Sequence, residues 1–220
     1  MDQNEMDQTG KKKLTQEFGY MLGMTAIICI LSFLFSVMSL PVAILVLLLD
    51  ITGIVVLWLK PLSRKSLYLL NVLNCLGAAS LAYLIVNVII KSVDSFAAMI
   101  IIIVVMDVFS FTKAGKKTPN AKLVHNNNTL ARLCICLPVA GKPGLRPIIG
   151  VGDLYFYSAI LLFSLHIFDG NVFGLIFLLL LLGQLANIIF ISIIKNKIWY
   201  KGFPATLFPG IFYLIVLCIH

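Results

Sequence analysis

Gly150-Val151-Gly152-Asp153-Leu154-Tyr155-Phe156-Tyr157-Ser158, running straight on into Ala159-Ile160-Leu161-Leu162-Phe163, is the stretch on which the reading of this chain turns. It is apolar enough to lie in lipid, yet it carries a carboxylate about one turn inside its start. A charged group at that depth is costly, and ionisable residues kept in membrane helices mark function. Asp107 stands near the end of the preceding apolar run, in Met106-Asp107-Val108-Phe109-Ser110-Phe111. Asp107 precedes Lys113, and Asp153 follows Arg146, by similar short distances. At about 1.5 Å of rise per residue, this places the two acids at one depth on consecutive helices.

The composition agrees with a membrane setting. Hydrophobic residues make up 60% of the chain and charged residues 12%, against roughly 25% charged in soluble domains. With about 20 apolar residues needed per span, the chain divides into about seven: 20–38, 41–59, 68–90, 96–112, 149–168, 172–194 and 204–219. The expected fold is an all-α polytopic membrane protein. Its parts are a polar tail (1–18), N-terminal helices ending in the first acid (19–112), a basic loop (113–148) and C-terminal helices (149–220). Residues 1–10 are expected to be disordered. The leader as a whole does not read as a cleaved signal, because it is long and the first apolar run is of spanning length.

The net charge of +8 does not point to nucleic acid, because the basic residues are placed by topology. Lys11, Lys12 and Lys13 precede the first span, and Lys60, Arg64 and Lys65 follow the second. Lys113, Lys116, Lys117, Lys122, Arg132, Lys142 and Arg146 fill the loop, and Lys195, Lys197 and Lys201 follow the sixth span. Only Lys91 falls on the other side. The positive-inside rule then sets the N-terminus and the loop in the cytoplasm and the C-terminus outside. Anionic lipid headgroups are the expected partner of this surplus.

Cys29, Cys75, Cys134, Cys136 and Cys218 have no paired metal spacing, and His125 is the only histidine near Cys134-Ile135-Cys136. They read as reduced structural thiols, and neither metal nor cofactor is expected.

Other polar residues are given plainer roles. Asp50, at the middle of the second span, is expected to pair with an Asn or Ser of the third. Asn71, Asn74 and Asn87 there serve interhelical bonding. From Arg132 to Val139, polar and apolar residues alternate with the period of a short strand, while Pro138, Pro143 and Pro147 exclude a helix. A loop lying on the bilayer is the plainer reading, and an edge that pairs with an extended ligand the functional one. His166 reads as interfacial, Gln184 and Asn187 as inward-facing, and Trp199 with Tyr200 as part of the aromatic belt. Phe203-Pro204-Ala205-Thr206-Leu207-Phe208-Pro209-Gly210 opens the last span with prolines and a glycine. Irregular backbone at membrane depth is tolerated against protein or water, so this end is expected to line a wet cavity beside the acids.

Asp107, the Gly150-Val151-Gly152-Asp153 helix and Pro204-Ala205-Thr206-Leu207 together resemble the presenilin-type intramembrane aspartyl proteases. That family's pattern is a Tyr-Asp helix, a Gly-x-Gly-Asp helix and a Pro-Ala-Leu motif in the final helix. Met106 stands where the family has tyrosine and Thr206 where it has leucine. The resemblance covers roughly residues 70–220. It implies a presenilin-like bundle lacking two N-terminal helices, Asp107 and Asp153 as the catalytic pair, and Pro204 to Leu207 in substrate binding. The implied substrates are transmembrane helices with their N-termini outside.

The chemistry follows from the residues as well. Two carboxylates a few ångströms apart hold one proton between them. The charged one activates a water, and the protonated one donates to the scissile carbonyl oxygen. Either acid can take either role. Gly150 and Gly152 are expected to let the two acid-bearing helices approach closely. A prepilin-type peptidase also uses Gly-x-Gly-Asp but continues with a lysine where Tyr155 stands. A cation or proton transporter using Asp50, Asp107 and Asp153 and a non-cleaving helix-binding protein are the other readings. No internal inverted repeat is found to support transport.

Overall fold

The computed structural model describes residues 3–112, 127–139, 144–168, 172–194 and 204–219. Its elements are α1 (Gln3–Ser36), α2 (Leu40–Trp58), α3 (Arg64–Leu84) continued by a π-helical turn (Ile85–Ile89), α4 (Val93–Ser110), α5 (Asn127–Arg132), β1 (Cys134–Pro138), β2 (Leu145–Gly150), α6 (Val151–Ile167), α7 (Phe173–Ile194) and α8 (Leu207–Ile219). Local chemistry sets several starts. Pro41 occupies the first turn of α2, where its missing N–H costs nothing. Ser63 and Ser66 cap α3 reciprocally, and Ser92 accepts from the Ser95 N–H at the head of α4. These caps satisfy donors that have no partner inside the helix.

Among the described residues, five helices are long and apolar enough to cross a membrane: Thr15–Ser36, α2, α3 with its π turn, α4 and Phe173–Ile193. The chain is a mostly helical, multi-pass membrane protein. α6 and α8 are apolar but shorter, at 17 and 13 residues. The polar leader differs from expectation, because residues 3–10 belong to α1 and are not a separate disordered tail. The basic residues of 113–122, Lys142, the turn at Asp169 to Asn171, and Trp199 and Tyr200 lie outside the described residues.

α6 is the centre of the bundle. Leu154 and every residue from Phe156 to Ser164 are buried, as expected of a helix apolar on all sides. α1, α3 and α7 surround it, with Ser32 meeting Ser158 across α1 and α6 at 2.7 Å. α4 is peripheral. It buries only the stripe Phe96, Ile100 and Val104 and packs chiefly on α8, which in turn packs on α7. Two glycines make these approaches possible: a Cβ on Gly183 would come within 2.6 Å of Pro209 Cα, and one on Gly210 within 2.6 Å of Val104 Cγ2.

Between the fourth and sixth helices the chain forms an antiparallel pair, β1 with β2. Cys134 lies opposite Gly150, Ile135 opposite Ile149, Cys136 opposite Pro147 and Pro138 opposite Leu145, with a bulge after Ile135. The period-two reading of 132–139 thus finds a strand. Its partner, Leu145–Gly150, runs without a break into α6 and so delivers Asp153.

Candidate active site

Asp107 extends the buried stripe of α4 by three residues beyond Val104, onto the side that faces α8. Its Oδ2 accepts the Thr206 hydroxyl at 2.7 Å and the Thr206 N–H at 3.4 Å. Thr206 lies in the turn that precedes α8 and is itself buried. The Ala205 carbonyl next to it accepts from Asn187 Nδ2 at 2.5 Å and from the Tyr157 hydroxyl at 3.5 Å. α6 and α7 therefore hold the turn that holds Asp107.

Asp153 is the third residue of α6, and its Oδ2 accepts the Gly150 N–H at 3.2 Å. This is half of a reciprocal cap and also suits the positive end of the helix. Tyr157, one helical turn along α6 from Asp153, donates to the Ala205 carbonyl beside Thr206, the residue that holds Asp107. The two acids singled out in the sequence are thus linked through one turn, Asp107 bonded to it directly and Asp153 a helical turn from the tyrosine that holds it. Each keeps its Oδ1 free of protein hydrogen bonds among the described residues.

The glycines of the motif play a different part from the one expected. A Cβ on Gly150 would meet Asp153 Oδ2 at 3.2 Å, and one on Gly152 would meet nothing within 4 Å. Neither lies where α4 and α6 touch. Those helices meet through side chains, with Phe96 stacked on Phe163 at 3.8 Å between centroids and the Tyr155 hydroxyl 3.7 Å from Met99 Sδ. Met106 is 52% exposed and turned away from the acids. Pro204 is buried and Ala205 and Leu207 are half-buried around the turn.

Asp50 stands apart. It is 3% exposed, and neither oxygen has a hydrogen-bond partner among the described residues. The Asn or Ser partner expected on the third helix is replaced by Gly77, whose missing side chain leaves the slot that Asp50 Oδ2 occupies. Asn71 and Asn74 point elsewhere. The Asn71 carboxamide bonds both the N–H and the carbonyl of Cys136, each at 2.8 Å, and Asn74 Nδ2 donates to the Arg132 carbonyl at 3.0 Å. Asn71 ties the strand β1 to α3, and Asn74 ties the end of α5 to α3. Arg132 completes the tie, with its guanidinium donating to the Leu57 and Lys60 carbonyls and lying 5.8 Å from the Trp58 ring centroid.

His166 is at the far end of α6, bonded through Nε2 to Asn87 Oδ1 at 3.0 Å. It borders a cavity of about 280 Å³ lined by Val86, Lys91, Ser92 and Phe163. Gln184 and Asn187 are buried as read from the sequence, but their contacts with Thr25 and Ala205 were not legible. Two amides three residues apart on an apolar helix were the available signal. Cys134 and Cys136 are free thiols buried in β1. Comparison of the chain with protein-family models, with curated proteins and with solved structures finds no match.

Proposed function

We propose that the chain is an intramembrane aspartyl endopeptidase that hydrolyses peptide bonds within transmembrane helices, with Asp107 and Asp153 as its catalytic pair. The observation that carries this reading is that the turn binding Asp107 through Thr206 is itself held by Tyr157, one helical turn from Asp153 on α6, with the strand β2 running into that helix. One proton is held between the two carboxylates. The charged one takes a proton from a water whose oxygen attacks the scissile carbonyl carbon, and the other protonates the carbonyl oxygen. Collapse of the resulting gem-diol breaks the C–N bond as the amine leaves with a proton from the pair.

The substrate helix must unwind, because its carbonyls are shielded while helical. We place it on β2, because the edge expected from the sequence, on β1, is occupied at Cys136 by Asn71. Asn71 occupies both backbone groups of Cys136, so the Cys136–Pro147 pair is a non-bonded one. Leu145 and the Pro147 carbonyl then face outward from β2, and among the described residues no further strand pairs there. In this reading Gly152 leaves space beside Asp153, and Pro204 to Leu207 flank the bound chain. The shorter α6 and α8 complete seven spans in a presenilin-like arrangement, with the N-terminus and the 113–148 loop cytoplasmic, the C-terminus outside and the bilayer as the medium of substrate access. No nucleic-acid partner is invoked, and accessory subunits or self-association are left to experiment.

The test is cleavage of a reporter transmembrane helix in liposomes by the full chain and by Asp107→Asn and Asp153→Asn. Products cut within the apolar segment should appear with the parent and fall by about 100-fold or more in each variant. Equal cleavage by all three proteins would overturn the assignment of the pair.

A further inference from the structure

Gln184 and Asn187 stand three residues apart on α7, so their side chains lie on one face of the helix. That face is enclosed, with Gln184 0% and Asn187 2% exposed. Gln184 Nε2 donates to Thr25 Oγ1 on α1, and Asn187 Nδ2 donates to the Ala205 carbonyl in the turn before α8. Neither Gln184 Oε1 nor Asn187 Oδ1 has a partner among the described residues. Turning the amides over does not help. The Ala205 carbonyl can only accept, so Asn187 must offer it the amide nitrogen and keep its oxygen on the other side. The Thr25 hydroxyl donates to the Met21 carbonyl at 2.9 Å and therefore accepts from Gln184. A reversed Gln184 would exchange an orphaned acceptor for an orphaned donor.

Buried acceptors are nearly always satisfied, so the two oxygens call for a molecule that donates twice. It must also be neutral, because Thr25, Gln184, Asn187 and Ala205 offer amides and a hydroxyl and no charge to answer a cation. Water meets both conditions. Tyr157 supplies a third bond: its hydroxyl is 3.5 Å from the same Ala205 carbonyl that Asn187 holds, at the long limit of a hydrogen bond, and so has a proton to give to a molecule beside Asn187. About three bonds are usual for a buried water. We propose that Gln184, Asn187 and Tyr157 form the binding site of a buried water at the centre of the bundle, which completes a hydrogen-bonded chain from α1 to the turn that holds Asp107. The chain runs from the Met21 carbonyl through Thr25, Gln184, the water and Asn187 to the Ala205 carbonyl. On the far side of the same peptide the Thr206 N–H reaches Asp107 Oδ2. The site thus lies one peptide plane from the acid. The water rests on the hydrogen bonds alone, while its service to catalysis, steadying Asp107, rests on the protease reading.

The experiment reads the water itself and needs no cleavage. The full chain in nanodiscs is irradiated with X-rays, which turn a bound water into hydroxyl radical where it sits, and the oxidised side chains are mapped by mass spectrometry. Tyr157 and Tyr213 are both 0% exposed, and Tyr213 shares its hydroxyl with Ser164 at 2.9 Å, so it serves as the dry control. Tyr157 should be oxidised about tenfold or more faster than Tyr213. Gln184→Leu, which removes one arm of the site, should bring Tyr157 down to the rate of Tyr213. A rise in both tyrosines reports a loosened bundle, and Gln184→Met, closer in shape to glutamine, then decides in its place, as it does if Gln184→Leu fails to fold. Equal rates in the parent, the result expected of a dry slot or a bound sodium ion, would overturn the proposal. So would a Tyr157 rate undiminished in a folded Gln184 variant. Failure of the protease reading shows separately, as absence of cleavage by the same chain.

Discussion

Asp153 and Asp50 are both acids in an apolar bundle, and their surroundings separate them. Asp153 has a backbone donor in Gly150, whereas Asp50 has no hydrogen-bond partner among the described residues. A buried polar group without a partner costs about 1–3 kcal/mol, and more when charged. Asp50→Ala is therefore expected to raise stability by about 1–2 kcal/mol, since the small cavity it leaves costs less than the group it removes. Thermal unfolding in detergent checks this, and reporter cleavage should persist; a lower midpoint would mean that Asp50 has a partner the bundle supplies. The two cysteines of β1 give a pH signature. Burial pushes the Cys134 thiol up to about 12 and the Cys136 thiol up to about 11. Maleimide at pH 8 should leave both unmodified in the native protein and label both after denaturation. The same shift has a sign for stability. The folded state favours the protonated thiol, so this contribution is complete below an ordinary cysteine value near 9 and is lost as pH rises from there toward 11–12.

Among elements, the turn before α8 is the piece on which the acids depend. Asn187 on α7 holds the Ala205 carbonyl, and Thr206 in the next position holds Asp107. Asn187→Ala should leave the bundle folded and lower kcat about tenfold, about 1.4 kcal/mol of barrier, with KM little changed. An unaltered kcat would show that Thr206 keeps its place without that support. Gly183→Ala tests the contact of α7 with α8, because its Cβ would meet the Pro209 backbone. Such overpacking costs about 1–3 kcal/mol, read as a lower unfolding midpoint.

How much of this was visible beforehand depended on range. Hydropathy located the helices, because lipid imposes length and composition on each segment separately. The period-two pattern located β1 for the same local reason. β2 was not visible, since Pro147 and the run Ile148-Ile149 read as the approach to a helix, and a proline fits a strand only where its missing N–H faces away from the partner. Asn71 was misassigned because the type of a residue does not reveal whether a helix or a strand lies opposite, and Asp50 because the helix facing it could be read but not which of its residues, a glycine, meets the carboxylate. Gly183 gave no signal at all, because its role comes from a proline 26 positions away.

At the scale of the molecule, the proposed catalytic pair joins unequal supports. α6 is enclosed by protein, while α4 buries one stripe and turns Ile101, Ile102, Val105 and Met106 outward. Its 18 residues span about 27 Å, slightly less than a hydrocarbon layer of about 30 Å. Acyl chains that lengthen the layer would strain α4 and leave α6 untouched, so one carboxylate rides on the lipid and the other on the protein. Such a pair works as a thickness gauge. Cleavage should be fastest in thin phosphatidylcholine bilayers and decline several-fold as the chains lengthen from 14 to 22 carbons, by the mismatch cost of fractions of a kcal/mol per ångström. A rate independent of chain length would mean that α8 holds α4 rigidly to the core. If the decline is found, the membrane in which this protein resides sets its rate as directly as the sequence of what it cuts.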